Sequence, residues 1–260
     1  MAIDEAISIF VRKGAVLPTF RLYGWSKKGI TIGEFQQEKE INYEYAMKQN
    51  IPIVRRPTGG KGILHIDDIT YSFSARKEDR FRGNLFQTYE IISKVFFKAF
   101  KLTGIPVEIK REKRVVNKSA LCFALSSFGE ICYKGIKIIG SAQKRWVDGF
   151  LQQGTIPLTT NREMLSKLFL CSTEDVSKVY GLKEIFENFE INQFQENIIL
   201  ALKEESFQPQ VGFLLDEEIE LAEELLHQKY SFDSTLYPYE CNRKEKLPQP
   251  QDLCKYGRIE

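Results

Sequence analysis

The 260-residue sequence predicts an α+β fold: a mixed, mostly antiparallel sheet flanked by helices, followed by a helical C-terminal part. Three observations carry this expectation. As far as residue 157, short runs of alternating apolar and polar residues are interleaved with only a few stretches of helical spacing. From about Arg162 onward the alternation stops and helical spacing takes over. The composition, 43% hydrophobic and 28% charged, is that of a globular chain and excludes a disordered, collagenous or disulfide-built protein.

Taken in order, Ile3, Ala6, Ile7, Phe10 and Val11 fall at helical spacing and predict an amphipathic first helix. Residues 19–25 alternate as a half-buried strand, residues 30–32 predict a second strand, and residues 41–49 a helix. Strand 51–56 runs into the breaker loop Pro57-Thr58-Gly59-Gly60-Lys61-Gly62, and strands follow at 63–65 and 69–74. Residues 85–102 form a long helix stopped by Gly104-Ile105-Pro106. Strands are expected at 107–109, 130–133, 136–139 and 150–157, with Lys134-Gly135 as a hairpin tip. Helices are expected at 163–169, 184–205 and 216–230. The organisation expected is a core of residues 1–205, a helical segment 206–241 and a weakly ordered tail 242–260.

Lys and Arg number 37 against 35 Asp and Glu, a net charge of +2, so no nucleic-acid coat is expected. Cys122, Cys132, Cys171, Cys241 and Cys254 are an odd set without paired Cys-x-x-Cys spacing, accompanied by only His65 and His227, so neither a metal site nor a disulfide framework is expected. The first residues carry Asp4 and Glu5 and no long apolar run, which predicts neither a secretory signal nor a membrane span, and hence a cytoplasmic chain.

Three constellations could carry chemistry. Arg55-Arg56-Pro57-Thr58-Gly59-Gly60-Lys61-Gly62 joins two fixed cations to a turn whose glycines allow close backbone approach to an anion or carbonyl, although a hairpin loop with surface arginines has the same pattern. His65 follows this loop. In Gly135-Ile136-Lys137-Ile138-Ile139-Gly140-Ser141-Ala142-Gln143, strand alternation puts Lys137 and Ile139 on one face, a cation among apolar groups; an edge-strand lysine that blocks aggregation is the alternative. Gly140, Ser141 and Ala142 are small enough for a ligand or strand to approach closely. Cys122 follows a basic stretch, the setting that turns a thiol into a nucleophile. An ammonium about 4 Å from its sulfur would attract a thiolate by about 4 kcal/mol at an effective dielectric of ~20.

Five segments resemble, in order, those of the lipoate-protein ligase and octanoyltransferase family: YGWSKKGITIGEFQ (23–36), RRPTGGKGILHIDDITYSF (55–73), Cys122-Phe123, GIKIIGSAQKR (135–145) and FLQQGTIPL (150–158). The resemblance implies a biotin/lipoate protein ligase-like catalytic domain. The similarity is greatest to the cysteine-dependent octanoyltransferases, which carry Ser-x-x-Cys-Phe fifteen residues before a strand lysine, the separation of Cys122 and Lys137 here. It implies Cys122 as acyl-thioester nucleophile and Lys137 as the group that activates it. Arg55, Arg56, Thr58, Gly59, Gly60, His65, Gly140, Ser141 and Ala142 would form the substrate site, with the glycine-rich backbone stabilising an oxyanion. The implied donor is octanoyl-acyl carrier protein, and the implied acceptors are lipoyl-domain proteins, the glycine-cleavage H protein or 2-oxoacid dehydrogenase subunits. No cofactor, metal, nucleic acid or membrane is implied. Arg55, Arg56, Lys61, Lys110, Arg111, Lys113, Arg114 and Lys118 are expected to present a cationic rim to acidic partners, or the last five a merely solvated loop.

The chain departs from the family in three places. It lacks the strand that precedes the first helix, so a sheet edge is expected to be lost. Ala124-Leu125-Ser126 replaces Asp-Ala-Pro, and the loop from Val107 to Cys122 is short. The alternatives are an ATP-dependent (ATP and Mg) lipoate-protein ligase, which needs no cysteine, and a non-catalytic lipoyl-domain binding module.

Overall fold

The computed structural model describes residues 1–111, 119–124, 129–230 and 256–259. Its elements in chain order are α1 (Ala2–Arg12), β1 (Thr19–Tyr23), β2 (Gly29–Ile32), α2 (Tyr43–Lys48), β3 (Ile53–Arg55), β4 (Ile63–His65), β5 (Asp68–Arg76), α3 (Leu85–Leu102), β6 (Glu108–Ile109), β7 (Ile131–Tyr133) and β8 (Ile136–Lys137). There follow β9 (Gly140–Arg145), β10 (Gly149–Pro157), α4 (Arg162–Leu168), α5 (Thr173–Ser177), α6 (Leu182–Ile185), α7 (Ile191–Glu204), β11 (Pro209–Gly212), α8 (Asp216–Leu225) and β12 (Tyr256–Ile259). The main sheet has the order β11-β12-β1-β5-β10-β9, and smaller sheets are β3-β2-β4 and β6-β7-β8. Every pairing between these strands is antiparallel except β2 with β3, and an isolated bridge between Gly62 and Leu121 is also parallel, so the mixed, mostly antiparallel α+β plan holds.

One face of the main sheet carries Phe20, Leu22, Tyr71, Phe73 and Phe150, and α3 and α7 pack on it through Phe96, Phe100, Phe194 and Ile198. Helix α3 is well specified locally: Asn84 and Gln87 form a capping box at its start, and Gly104, at φ +81°, follows its end. The other face carries the intervening residues, among them Arg21 and Ser72, and α1 lies across it. β1 is therefore buried on both sides rather than half-buried, because the polar half of its alternation is covered by a helix instead of water.

That covered face is stitched by Asp4 of α1. Its carboxylate accepts from Arg21 at 2.7 Å, Tyr23 at 2.7 Å, Ser72 at 2.9 Å and Gln153 at 2.7 Å. Burial alone would push the carboxyl up; the Arg21 guanidinium, helped by Tyr23 and Gln153, outweighs it and holds Asp4 below the ordinary carboxylate range. The resulting stabilisation is present at neutral pH and is lost as pH falls through the lowered value. Asp4→Ala is expected to destabilise the fold by about 3–5 kcal/mol, because it strips a buried guanidinium of a charged partner. Denaturant unfolding at neutral and acidic pH checks this: the variant should lack that part of the wild type's acid sensitivity.

Three sequence expectations change. The helix expected over 184–205 divides into α6 and α7, because Phe186 and Phe189 turn inward: Phe186 meets Tyr133 at 4.8 Å between ring centroids, and Phe189 meets Phe194 at 5.2 Å. Within the tail expected to be weakly ordered, Tyr256–Ile259 instead form β12, which pairs with Thr19–Arg21 of β1 and with β11. That strand occupies the edge of β1 expected to be lost; a buried strand leaves its main-chain groups little alternative to a protein partner. Finally, α8 ends in a π-helical turn, Leu226–Tyr230, that closes on α1. Residues 231–255 of the C-terminal segments, with Cys241 and Cys254, lie outside the described residues.

Candidate active site

The glycine-rich loop between β3 and β4 is organised by its own arginines. Arg56 donates to the carbonyls of Gly59 at 2.7 Å and Lys61 at 2.8 Å, and to Thr31 O at 3.2 Å on β2. Arg55 donates to Gly33 O and Gln36 O, both at 2.9 Å, and so ties the turn after β2 to the same loop. The two backbones meet closely: a Cβ on Gly33 would lie 2.1 Å from Gly60 O, and Gly60 itself takes φ +89°. Burial pushes the Arg56 guanidinium down to about 10, with the charge of Cys122 opposing the shift. Lys61 is paired with Glu40 at 2.8 Å. The outward rim expected of Arg55, Arg56 and Lys61 is thus corrected: the two guanidinium groups bond carbonyls of the loop and of the turn after β2, and the Lys61 ammonium bonds Glu40. Of the second basic group, Lys110 and Arg111 are described, whereas Lys113, Arg114 and Lys118 lie outside the described residues.

Cys122 is pinned to this loop through the main chain. Gly62 N donates to Ala120 O at 3.0 Å and Cys122 N to Gly62 O at 3.2 Å, while the Gln36 side chain donates to Ala120 O at 3.0 Å. Thr58, fully buried, donates to Gln153 of β10 at 3.0 Å, and Gln153 reaches on to Asp4. Of the segment that replaces Asp-Ala-Pro, Ala124 is described and Leu125 and Ser126 are not.

The lysine and the cysteine meet. Lys137 Nζ lies 3.7 Å from Cys122 Sγ, 3.0 Å from Cys122 O and 2.6 Å from Glu130 Oε1. All three side chains are buried. Burial alone would push the Lys137 ammonium down, but Cys122 and Glu130 outweigh it and raise it, so the side chain stays charged. The strand alternation expected across 136–139 does not hold. β8 ends at Lys137, and Ile138 and Ile139, both buried, carry the chain from the small sheet to the main one, where β9 starts at Gly140. Lys137 therefore does not share a face with Ile139.

Gly140 closes the pocket on a second side. A Cβ there would sit 3.1 Å from Cys122 Sγ and 3.0 Å from the Phe123 ring. Gly140→Ala is expected to cost about 1–3 kcal/mol by overpacking and to slow alkylation of Cys122 by iodoacetamide several-fold, a comparison read by intact mass. Ser141 Oγ bonds the Tyr71 hydroxyl at 2.7 Å, and the Ala142 methyl lies against Gly60. His65 is stacked on Trp25 at 4.1 Å, with Nε2 3.0 Å from Thr31 Oγ1 and Nδ1 2.6 Å from Asp68 Oδ2. Its two nitrogens are both engaged by the protein.

The sulfur sits between two small cavities. The first, about 20 Å³, is bordered by Met1, Thr31, Arg56, Ile63, His65 and Ser141. The second, about 30 Å³, is walled largely by Ile63, Leu64, Leu121, Phe123, Leu165 and Val179. A water needs ~10–15 Å³, so each has room for no more than a water or two, and an acyl chain would enter only as these walls part. Of the expected site residues, Arg56, His65, Cys122, Gly140, Ser141 and Ala142 line these cavities and Lys137 touches the sulfur beside them, whereas Arg55, Thr58, Gly59 and Gly60 line neither. Among the described residues no group of three or more His, Cys, Asp or Glu could hold a metal ion, and no helix is long and apolar enough to cross a membrane.

Sequence reasoning missed Glu130 and Gln153. For Glu130 a signal existed: with Lys134 and Gly135 both at positive φ, the tight turn puts Cys132 opposite Lys137, which makes Glu130 its diagonal neighbour on one face. Gln153 had none, because its partners Asp4 and Thr58 are far away in sequence.

The chain was compared with known proteins. The family model of the lipoyl protein ligase A/B catalytic domain matches residues 1–203. The octanoyltransferase LipM of Bacillus subtilis (strain 168) is 32% identical over 260 residues, covering 91% of this chain and 92% of the relative. LipM of an Exiguobacterium species is 36% identical over 178 residues, covering 65% of this chain and 64% of that protein, so this match spans just under two thirds of the relative. Among solved structures, an archaeal bipartite lipoate protein ligase from Thermoplasma acidophilum, described with its E2 lipoyl domain, superposes with a TM-score of 0.71 at 19% identity, covering 90% of this chain and 88% of that one; at that identity the likeness speaks for the fold. With a family model matched over most of its length and a fold to agree with it, the chain belongs to the lipoyl protein ligase A/B catalytic domain family.

Proposed function

We propose that this protein is an octanoyltransferase of lipoate biosynthesis, which moves an octanoyl group from acyl carrier protein to a lysine of a lipoyl-domain protein through a thioester on Cys122. The observation that carries the reading is the 3.7 Å approach of the Lys137 ammonium to the Cys122 sulfur, between two small cavities. An ammonium at that distance favours the thiolate, the reactive form of the thiol. The names of the relatives support the same activity, and the archaeal ligase and its lipoyl domain support the acceptor class.

In the first half-reaction the thiolate attacks the donor thioester carbonyl. The Sγ–acyl bond forms, the bond to the phosphopantetheine sulfur breaks, and that sulfur leaves as a thiolate and takes up a proton. In the second, the acceptor amine attacks the enzyme thioester; the amide bond forms, the amine gives up a proton, and Cys122 is released. The main chain of Gly59, Gly60 and Gly140–Ala142 and the Lys137 ammonium would supply the donors to the oxyanion of each tetrahedral intermediate. Thioester to amide is downhill, so the route consumes no ATP.

A second reading, an ATP-dependent ligase, is favoured by the fold likeness to a lipoate protein ligase. One experiment separates the two. Incubated with octanoyl-acyl carrier protein and no ATP, the protein should gain one octanoyl group by intact mass and pass it to a lipoyl domain. Octanoate- or lipoate-dependent ATP–pyrophosphate exchange, with no adduct, would point to the ligase; neither signal would point to a binding module.

A further inference from the structure

We propose that Glu130 is a positioning residue for this transfer: it keeps the Lys137 ammonium matched by a negative charge at the stage when Cys122 carries none. The inference rests on the acyl-transfer reading above and deepens it.

Lys137 meets Glu130 at 2.6 Å and Cys122 Sγ at 3.7 Å, and all three side chains are shut away from solvent. In the resting thiolate, and in each tetrahedral oxyanion, the ammonium faces a charge on the reacting atoms. In the acyl-enzyme that charge is gone, because the sulfur electron pair is now in the bond to the acyl carbon. A buried ammonium left alone sheds its proton or disfavours the state that strands it. Glu130 removes that penalty, so the lysine enters the second half-reaction still charged and in place. Its neighbours among the described residues do not supply that charge. Burial, with the Glu130 charge adding to it, pushes the Tyr89 hydroxyl well up and the Cys132 thiol to about 11, so both face Lys137 neutral. Burial likewise pushes Tyr71 up to about 12. Behind the first cavity, the Asp68 carboxylate is engaged by His65, Thr70 and Thr155, and Arg56 adds a second cation.

The same geometry sets a cost. Glu130 and the sulfur share one ammonium, 2.6 Å from the carboxylate and 3.7 Å from Sγ, so the carboxylate opposes the sulfur's hold on that cation while it supports the acyl-enzyme. That opposition gives the test a signature that loss of structure would not produce. In Glu130→Gln, alkylation of Cys122 by iodoacetamide in mildly acidic buffer should rise about tenfold over wild type. Octanoyl transfer from the trapped acyl-enzyme to a lipoyl domain should fall about a hundredfold. Glu130→Asp, which keeps the charge at a greater distance, should show both changes in the same directions at smaller size, and it carries the test if the glutamine variant does not fold. Alkylation unchanged or slowed in a folded variant, or transfer unaffected, overturns the role of Glu130. If instead the wild type takes no acyl group from octanoyl-acyl carrier protein, the transfer reading itself is overturned.

Discussion

Cys122→Ala is expected to abolish the octanoyl adduct and to lower transfer to a lipoyl domain by about 10³-fold or more, the loss usual when a covalent nucleophile is removed. The fold should survive. The side chain is small, and Lys137 keeps its bonds to Glu130 and to the residue 122 carbonyl, so no buried charge is orphaned and the stability cost should stay near 1 kcal/mol. Cys122→Ser should also lose transfer, because a hydroxyl at that position is a much weaker nucleophile than a thiolate. The measurements are intact mass after incubation with octanoyl-acyl carrier protein, and acyl transfer to a lipoyl domain followed over time. Unimpaired transfer in a folded Cys122→Ala protein would remove the covalent intermediate and leave the ligase route, which uses no thiol.

Replacing Lys137 by methionine is expected to have two separable effects. Removal of the ammonium leaves the Glu130 carboxylate buried without the cation it meets at 2.6 Å, which should cost about 3–5 kcal/mol of stability. Alkylation of Cys122 at neutral pH should slow at least tenfold, and octanoyl transfer should fall by about 10²–10⁴-fold, since activation and oxyanion stabilisation are lost together. The double variant Lys137→Met with Glu130→Gln divides these effects. Neutralising both partners should return most of the lost stability without restoring transfer, a pattern read by denaturant unfolding alongside the transfer assay. Lys137→Arg should not rescue it, because a planar fork cannot take the place of a compact ammonium that contacts a sulfur, a carbonyl and a carboxylate at once.

The pairing of Cys122 with Lys137 was legible in sequence through the fifteen-residue separation and the family pattern, and the structure brings the two side chains together. The hairpin tip at Lys134-Gly135 was legible from turn chemistry alone, since both residues take positive φ. The arginine-glycine loop was legible as a loop, but its arginines were not legible as inward clamps. Nothing local distinguishes a guanidinium facing solvent from one facing the carbonyls of its own turn. The broken helix around Phe186 and Phe189 was hidden for a related reason: its spacing suits a helix, and only the aromatic partners Tyr133 and Phe194 outweigh that preference.

Residue patterning therefore determined the α+β class, the order of most elements and the loop, and the family resemblance pointed to the sulfur and the ammonium, because periodicity, turn residues and motif spacing are properties of neighbours along a chain. Tertiary structure alone decided what surrounds them. It placed Glu130 against Lys137, joined Asp4 through Gln153 to Thr58, and seated Tyr256–Ile259 beside β1. Those contacts join residues on different elements, most of them far apart in the chain, and buried polar groups choose their partners only after the helices and sheets have closed over them.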